Sequence, residues 1–203
     1  MAIIGVSKPL YAVYSASGNK VTYATGGVLG KLTEINLEIE VSKDNDLYAD
    51  NGVAETDRTF SNGKLTLKPD DLSQEVAKAI LGVQESEIGS GVSGVTDVGV
   101  KELIYDESQV TPYLGIGFIV KKKVKGVTGW RAVLLTKCMF AVPSDAATTQ
   151  GESIEWQVPE LSATVMRDDS ENHAWKKEAT FTTEAQAEAY LKARLSIAGG
   201  VGA

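Results

Sequence analysis

The chain has 203 residues, 43% hydrophobic and 23% charged, enough for one domain with a substantial apolar core and no need of a metal or disulfide to fold. Its formal net charge of −7 argues against a surface that wraps nucleic acid, because neutralising phosphates takes Lys and Arg in excess. The single cysteine, Cys138, excludes an intrachain disulfide and points to a reducing compartment or to indifference to redox state.

The opening Met1-Ala-Ile-Ile-Gly-Val has neither the basic stretch nor the apolar run of a secretory leader, and no later run approaches a membrane span, so neither is expected. Residues 1–9 read as an N-terminal arm, residues 10–14 as a short strand and residues 15–20 as a turn cluster. The cleanest pattern comes next: Ile35, Leu37, Ile39 and Val41 alternate with Glu34, Asn36, Glu38 and Glu40, which predicts a half-buried strand with an acidic outer face.

Residues 42–62 are polar and show little periodicity, and loops of that length in compact domains usually do something. A protruding loop that docks on something else is expected, with Lys43, Asp44, Asp46, Tyr48, Asp50, Asp57 and Arg58 as its contact candidates. Calcium fits poorly, because Tyr48 and Ala49 stand where an EF-hand loop needs an oxygen ligand and a glycine. Residues 65–67 read as a returning strand. Residues 70–82 read as a helix, capped by an Asp after Pro69 and ended by Gly82, with Leu72, Val76, Ala79 and Ile80 on its apolar face.

Gly89-Ser-Gly-Val-Ser-Gly matches G-x-G-x-x-G, but no buried strand precedes it and no helical pattern succeeds it, so it reads as a connector. Residues 98–105 add a strand.

Residues 112–166 read as three long β segments. Residues 113–120 and 130–142 flank a Gly-punctuated polar stretch and predict a hairpin, with Lys121, Lys122, Lys123 and Lys125 at its turn as a solvated tip or as partners for a neighbour's acidic loop. Strict alternation places Trp130, Ala132, Leu134, Thr136, Cys138 and Phe140 on one face, and Val133, Leu135 and Met139 with Arg131 and Lys137 on the other. Both faces carry apolar groups, so this strand is expected to be covered on both sides. Ile154, Trp156 and Val158 point inward in the next segment, and residues 161–166 continue it. Thr183 and Gln186 make a capping box before an Ala-rich helix that carries Lys192 and Arg194 near its end, and residues 197–203 read as a mobile tail.

Chemistry is hard to assemble from these residues. His173 lies in a polar turn with no second histidine or nearby cysteine for a metal, and it cannot complete a Ser-His-Asp triad. Cys138 sits in an apolar strand and reads as a core thiol. No catalytic, cofactor-binding or metal residues are assigned, and no enzyme is expected. The chain reads as one domain over residues 1–203, mainly β, with two helices and a long acidic loop.

Several stretches taken in order resemble the major tail proteins of long-tailed phages of Gram-positive bacteria. They are Tyr113-Leu-Gly-Ile-Gly-Phe-Ile-Val-Lys-Lys-Lys, Trp130-Arg-Ala-Val-Leu-Leu, Cys138-Met-Phe-Ala-Val-Pro-Ser, Gln150-Gly-Glu-Ser-Ile-Glu-Trp-Gln-Val-Pro-Glu, Ala163-Thr-Val-Met-Arg-Asp and Trp175-Lys. The resemblance implies a β-sandwich or barrel-like tail-tube fold with flanking helices, hexameric rings closed by sheet continuation, and rings stacked through the loop at residues 42–62. It implies a virion protein of the tail, assembled in the host cytoplasm, whose partners are its own copies, the tape measure protein in the lumen, and tail-tip and terminator proteins. DNA would pass without specific binding, with Glu34, Glu38 and Glu40 as lumen-lining candidates that repel phosphates. Other readings are the tube protein of a contractile tail or injection machine, and a β-sandwich module that binds a cell surface.

Overall fold

The computed structural model describes residues 2–42, 45–88, 99–144, 149 and 157–197. Among them, in chain order, are β1 (Ala2–Ser17), β2 (Lys20–Val28), β3 (Leu32–Val41), β4 (Asn45–Ala49), β5 (Gly52–Asp57), β6 (Phe60–Pro69), α1 (Gln74–Leu81), β7 (Gln84–Glu87), β8 (Lys101–Ile104), β9 (Leu114–Val124), β10 (Val127–Phe140), β11 (Leu161–Met166), β12 (Lys176–Phe181) and α2 (Glu184–Arg194). The protein is mainly β, with antiparallel sheets and two helices among the described residues.

The principal sheet runs β2-β1-β9-β10-β11-β6-β3, with every neighbouring pair antiparallel. β10 is its most widely shared strand. On one side it pairs with β9, and on the other its first half pairs with β12 and its last residues with β11. The β9–β10 turn is Lys125-Gly126, with φ of 48° and 84°, the left-handed conformations that suit a two-residue hairpin to the sheet's twist.

Two apolar cores result. The larger holds Phe118 and Val120 of β9, Val133 and Leu135 of β10, Leu65 and Leu67 of β6, and Ala77, Ile80 and Leu81 of α1. Val6 of β1 and Leu32, Ile35 and Leu37 of β3 pack against it, so the sheet curls until its β3 end approaches β1. The smaller core lies on the opposite face of β1, β9 and β10, where Leu10, Ala12, Ile119, Ala132 and Leu134 meet Ala187, Leu191 and Leu195 of the α2 region. Each fully buried leucine contributes about 1.5–3 kcal/mol by leaving water, so α2 is held by the sheet rather than by helix propensity.

The glycines of Tyr113-Leu-Gly-Ile-Gly explain how closely α2 approaches. A Cβ on Gly117 would stand 3.1 Å from Leu191, and one on Gly115 would stand 2.8 Å from Leu195 and 2.5 Å from the Tyr23 ring. Side chains at either position would push the helix or Tyr23 off the sheet.

β10 is covered on both sides as expected, but its alternation breaks. Leu135 pairs with Ile116 and Cys138 with Leu114, so three steps on β10 match two on β9. The extra residue is a bulge at Thr136 and Lys137, and it reverses the parity of the rest of the strand. Cys138 and Phe140 therefore enter the larger core with Val133 and Leu135, instead of sharing the face of Trp130, Ala132 and Leu134.

Other expectations change in the same local way. Residues 2–9, read as an arm, are the first half of β1, with Ala2 to Ser7 paired along β9. The helix begins later than expected, because Ser73 is its N-cap and accepts from the Val76 N–H, while Asp70 accepts from the Lys31 N–H at 2.8 Å. Gly82 ends it with φ 69°, as the sequence predicts. Thr183 caps α2 by accepting from the Gln186 N–H at 3.3 Å, but the Gln186 side chain accepts from Thr182 rather than completing the box. Lys121, Lys122 and Lys123 lie in β9 rather than in its turn. The connector at 89–94, Ile154, Trp156 and the tail at 198–203 lie outside the described residues.

Candidate functional site

With no catalytic cluster to build on, the surfaces that could meet another molecule are the outer face of β3, β6 and β11, the ribbon beyond it, and the free edges of the sheet. On β3 the inward residues are Leu32, Ile35 and Leu37, so Glu34, Asn36, Glu38 and Glu40 project outward. Register places Glu34 opposite Lys68, Asn36 opposite Thr66, Glu38 opposite Lys64 and Glu40 opposite Asn62. β11 continues the rows, with Ser162 opposite Thr66 and Thr164 opposite Lys64.

The acidic stripe is thus threaded with lysines. Lys68 Nζ lies 2.9 Å from Glu34 and 3.7 Å from Glu160, and its hydrogen bond to Glu34 raises its pKa above the usual lysine value. Glu38 accepts from the Asn36 amide at 2.9 Å. The three glutamates expected at a lumen do share one exposed face, but it is a mixed polar surface with an acidic excess rather than a purely acidic one.

The stretch read as a structureless loop is a hairpin. β3 and β6 run on as a ribbon, with the Ser42 N–H donating to the Thr59 carbonyl at 2.8 Å, and β4 and β5 form a two-stranded sheet at its end. Its turn is Asp50-Asn51, with φ of 50° and 65°. Asp and Asn tolerate that conformation better than most residues. Asp50-Asn-Gly between short β-prone runs was the available signal. Thr56 Oγ1 donates to Asp46 at 2.7 Å, and Leu47 and Val53 are 60% and 53% exposed. Of the other loop candidates, Tyr48 lies in β4, Asp57 ends β5 and Arg58 precedes β6, whereas Lys43 and Asp44 lie outside the described residues.

β2 and β3 are the outermost strands of the principal sheet, so each leaves one row of backbone groups without a strand partner. Apolar side chains remain exposed along them, including Val28 on β2 and Ile39 and Val41 on β3. Sequence reasoning missed β2 altogether, since Lys20-Val-Thr-Tyr-Ala-Thr-Gly-Gly-Val carries strand formers only in its first half.

The titratable groups elsewhere serve the fold. Burial pushes the Cys138 thiol well above its ordinary range, which leaves it unreactive. His173 Nδ1 lies 3.1 Å from the Asp168 carbonyl within a turn that Tyr14 pins: the Tyr14 hydroxyl donates to Asp169 Oδ2 at 2.6 Å and accepts from the Asp169 N–H at 2.9 Å. Among the described residues no group of three or more His, Cys, Asp or Glu could hold a metal ion, and no helix is long and apolar enough to cross a membrane. Comparison of the chain with protein-family models and with curated proteins gives no significant match.

Proposed function

We propose that the protein is a structural subunit that polymerises by sheet continuation into a tube, in the manner of phage major tail proteins, serving as a conduit for genome delivery. The observation that carries this reading is a mainly β domain whose principal strand order ends in two unlike antiparallel edges, β2 and β3, each without a strand partner on its outer side, while the short β12 beside β10 leaves a third. Unlike edges that pair with each other make a heterologous contact, which closes into a ring when the rotation allows. Ring closure also removes the aggregation hazard of open edges.

The two faces support the same arrangement. α2 seals one face of β1, β9 and β10, which suits the outside of a tube. The face of β3, β6 and β11 bears Glu34, Glu38, Glu40 and Glu160 among polar side chains, which suits a lumen that holds the tape measure protein and then lets DNA slide through. The ribbon ending in β4 and β5 reaches toward the next ring, and tail-tip and terminator proteins would close the ends.

The reading is tested by light-scattering mass across protein concentration, with hydrogen exchange measured on monomer and assembly. Sheet continuation predicts slower exchange over residues 20–28 and 32–41 in the assembly. Equal exchange at both edges in monomer and assembly would contradict it.

A further inference from the structure

The principal sheet curls toward a barrel without closing. β2 pairs with β1 only from Leu10 to Ser17, so the first half of β1 has β9 on one side and no paired strand on the other, and β3 pairs with β6 alone. β1 and β3 approach each other unpaired, and between them opens a cavity of about 650 Å³. Pockets that take small molecules commonly measure about 300–1,000 Å³ and are mostly apolar. Register explains the lining of this one. Val6 lies opposite Val120, and Phe118 opposite Val133, so these four share the inward face of the sheet, while Ile35 and Leu37 line the cavity from β3.

This apolar cavity also has a cationic part. Arg131 lies opposite Val120 in register, which puts its side chain on the same inward face, and Arg131 and Lys176 both line the cavity. The Arg131 Nε is buried and has no hydrogen-bond partner. Buried donors in native proteins are nearly always paired, so an orphan of this kind calls for an acceptor. Glu178 does not supply it: it lies 4.0 Å from the Arg131 Nη1 and is held by Lys176 at 2.8 Å. Glu34, which also lines the cavity, is held by Lys68 at 2.9 Å. Lys122 of β9 donates to the Thr180 hydroxyl at 3.0 Å and acts on Glu178 as well, so three cations face that one carboxylate in a chain of net charge −7.

We propose that this cavity binds a fatty carboxylate of medium chain length, its alkyl chain along Val6, Phe118, Val120 and Val133 and its carboxylate on Arg131 with Lys176 alongside. The lining selects this class of ligand. Apolar walls favour an alkyl chain, which gains by leaving water. A guanidinium matches the planar pair of oxygens of a carboxylate, and its Nε–H is one of the donors such a group engages. A neutral alkyl ligand would leave that donor unpaired, and a bare anion would leave the walls uncovered. The residues involved all belong to one copy, so the site does not rest on the assembly reading.

The test is calorimetric titration of the full chain with decanoate, with decanol and with inorganic phosphate. Decanoate is expected to bind saturably at one per chain, decanol about tenfold or more weakly, and phosphate without measurable affinity. Arg131→Met keeps most of the side chain's length and leaves Glu178 with Lys176. It should weaken decanoate binding by about tenfold or more and leave decanol unchanged. Val6→Phe, at a half-buried position on the cavity wall, should weaken both ligands by narrowing the space; circular dichroism checks that each variant folds. The proposal is overturned if decanoate does not bind saturably, if decanol binds as tightly, or if the Arg131→Met variant binds decanoate as the wild type does. Unchanged decanoate binding by a folded Val6→Phe variant would overturn it too, by removing the alkyl chain from this cavity.

Discussion

Leu135 and Cys138, three positions apart on one strand and so due on opposite faces, both point into the larger core. The residue that makes this possible is Thr136, fully buried at the bulge, whose hydroxyl donates to the Ala174 carbonyl at 2.6 Å while its own carbonyl accepts from Tyr23 at 2.8 Å. Replacing Thr136 by Val keeps the shape but removes that donor, while the Ala174 carbonyl still accepts from the Asp168 N–H at 2.9 Å, so the loss should be about 0.5–1.5 kcal/mol. Urea unfolding should show that loss with an unchanged slope.

Leu191 is fully buried on the face of α2 that meets the sheet, packed closely over Gly117. Leu191→Ala should cost about 2–5 kcal/mol, since the cavity it leaves is lined by strands that cannot move inward. A loss under about 1 kcal/mol in chemical denaturation would mean that α2 is not fixed to the sheet.

The turn pinned by Tyr14 makes stability depend on pH at both ends of the scale. The Lys137 ammonium, 2.8 Å from Asp169, and then the Tyr14 hydroxyl hold the Asp169 carboxyl below its usual range. A depressed carboxyl pKa stabilises above the unfolded value near 3.9, and that contribution is lost as pH falls below it. Burial, together with the Asp169 hydrogen bond, pushes the Tyr14 hydroxyl up to about 12. That contribution is complete below the unfolded value near 10 and is lost as pH rises from there toward 12. Tyr14→Phe should therefore lower the melting temperature at pH 7, and its deficit relative to wild type should shrink both below pH ~4 and above pH ~10.

The mixed face of β3 and β6 decides which substitutions can test a lumen role. Lysines at positions 34 and 38 would face Lys68 and Lys64 across the strand pair, and like charges directly opposite destabilise a sheet. Glu34→Gln with Glu38→Gln and Glu40→Gln removes the charge without that conflict. Tubes of this variant should form normally and retain DNA more strongly at low salt, read as slower release in an ejection assay. Unchanged release would remove these glutamates from the lumen.

Much of the mainly β architecture was legible because its signals are local. The alternation from Ile35 to Val41, the apolar density on both sides of β10 and the Gly82 cap each report a short-range physical requirement. The bulge at Thr136 was not legible, since the residue's role depends on Ala174 and Tyr23, far away in sequence. The lysines opposite the β3 glutamates were equally hidden, because strand register is a tertiary fact. β4 and β5 escaped because their sequences mix polar and apolar residues without a clean period of two.

The central claim, that copies of this chain continue one another's sheet into a tube, is tested most directly by electron microscopy of the purified protein across concentration, alone and with tail-tip and tape measure proteins. The account predicts hollow tubes or six-fold rings, with the β2 edge of each copy against the β3 edge of the next. A particle that stays monomeric under all these conditions, or that assembles with both edges free, would contradict it.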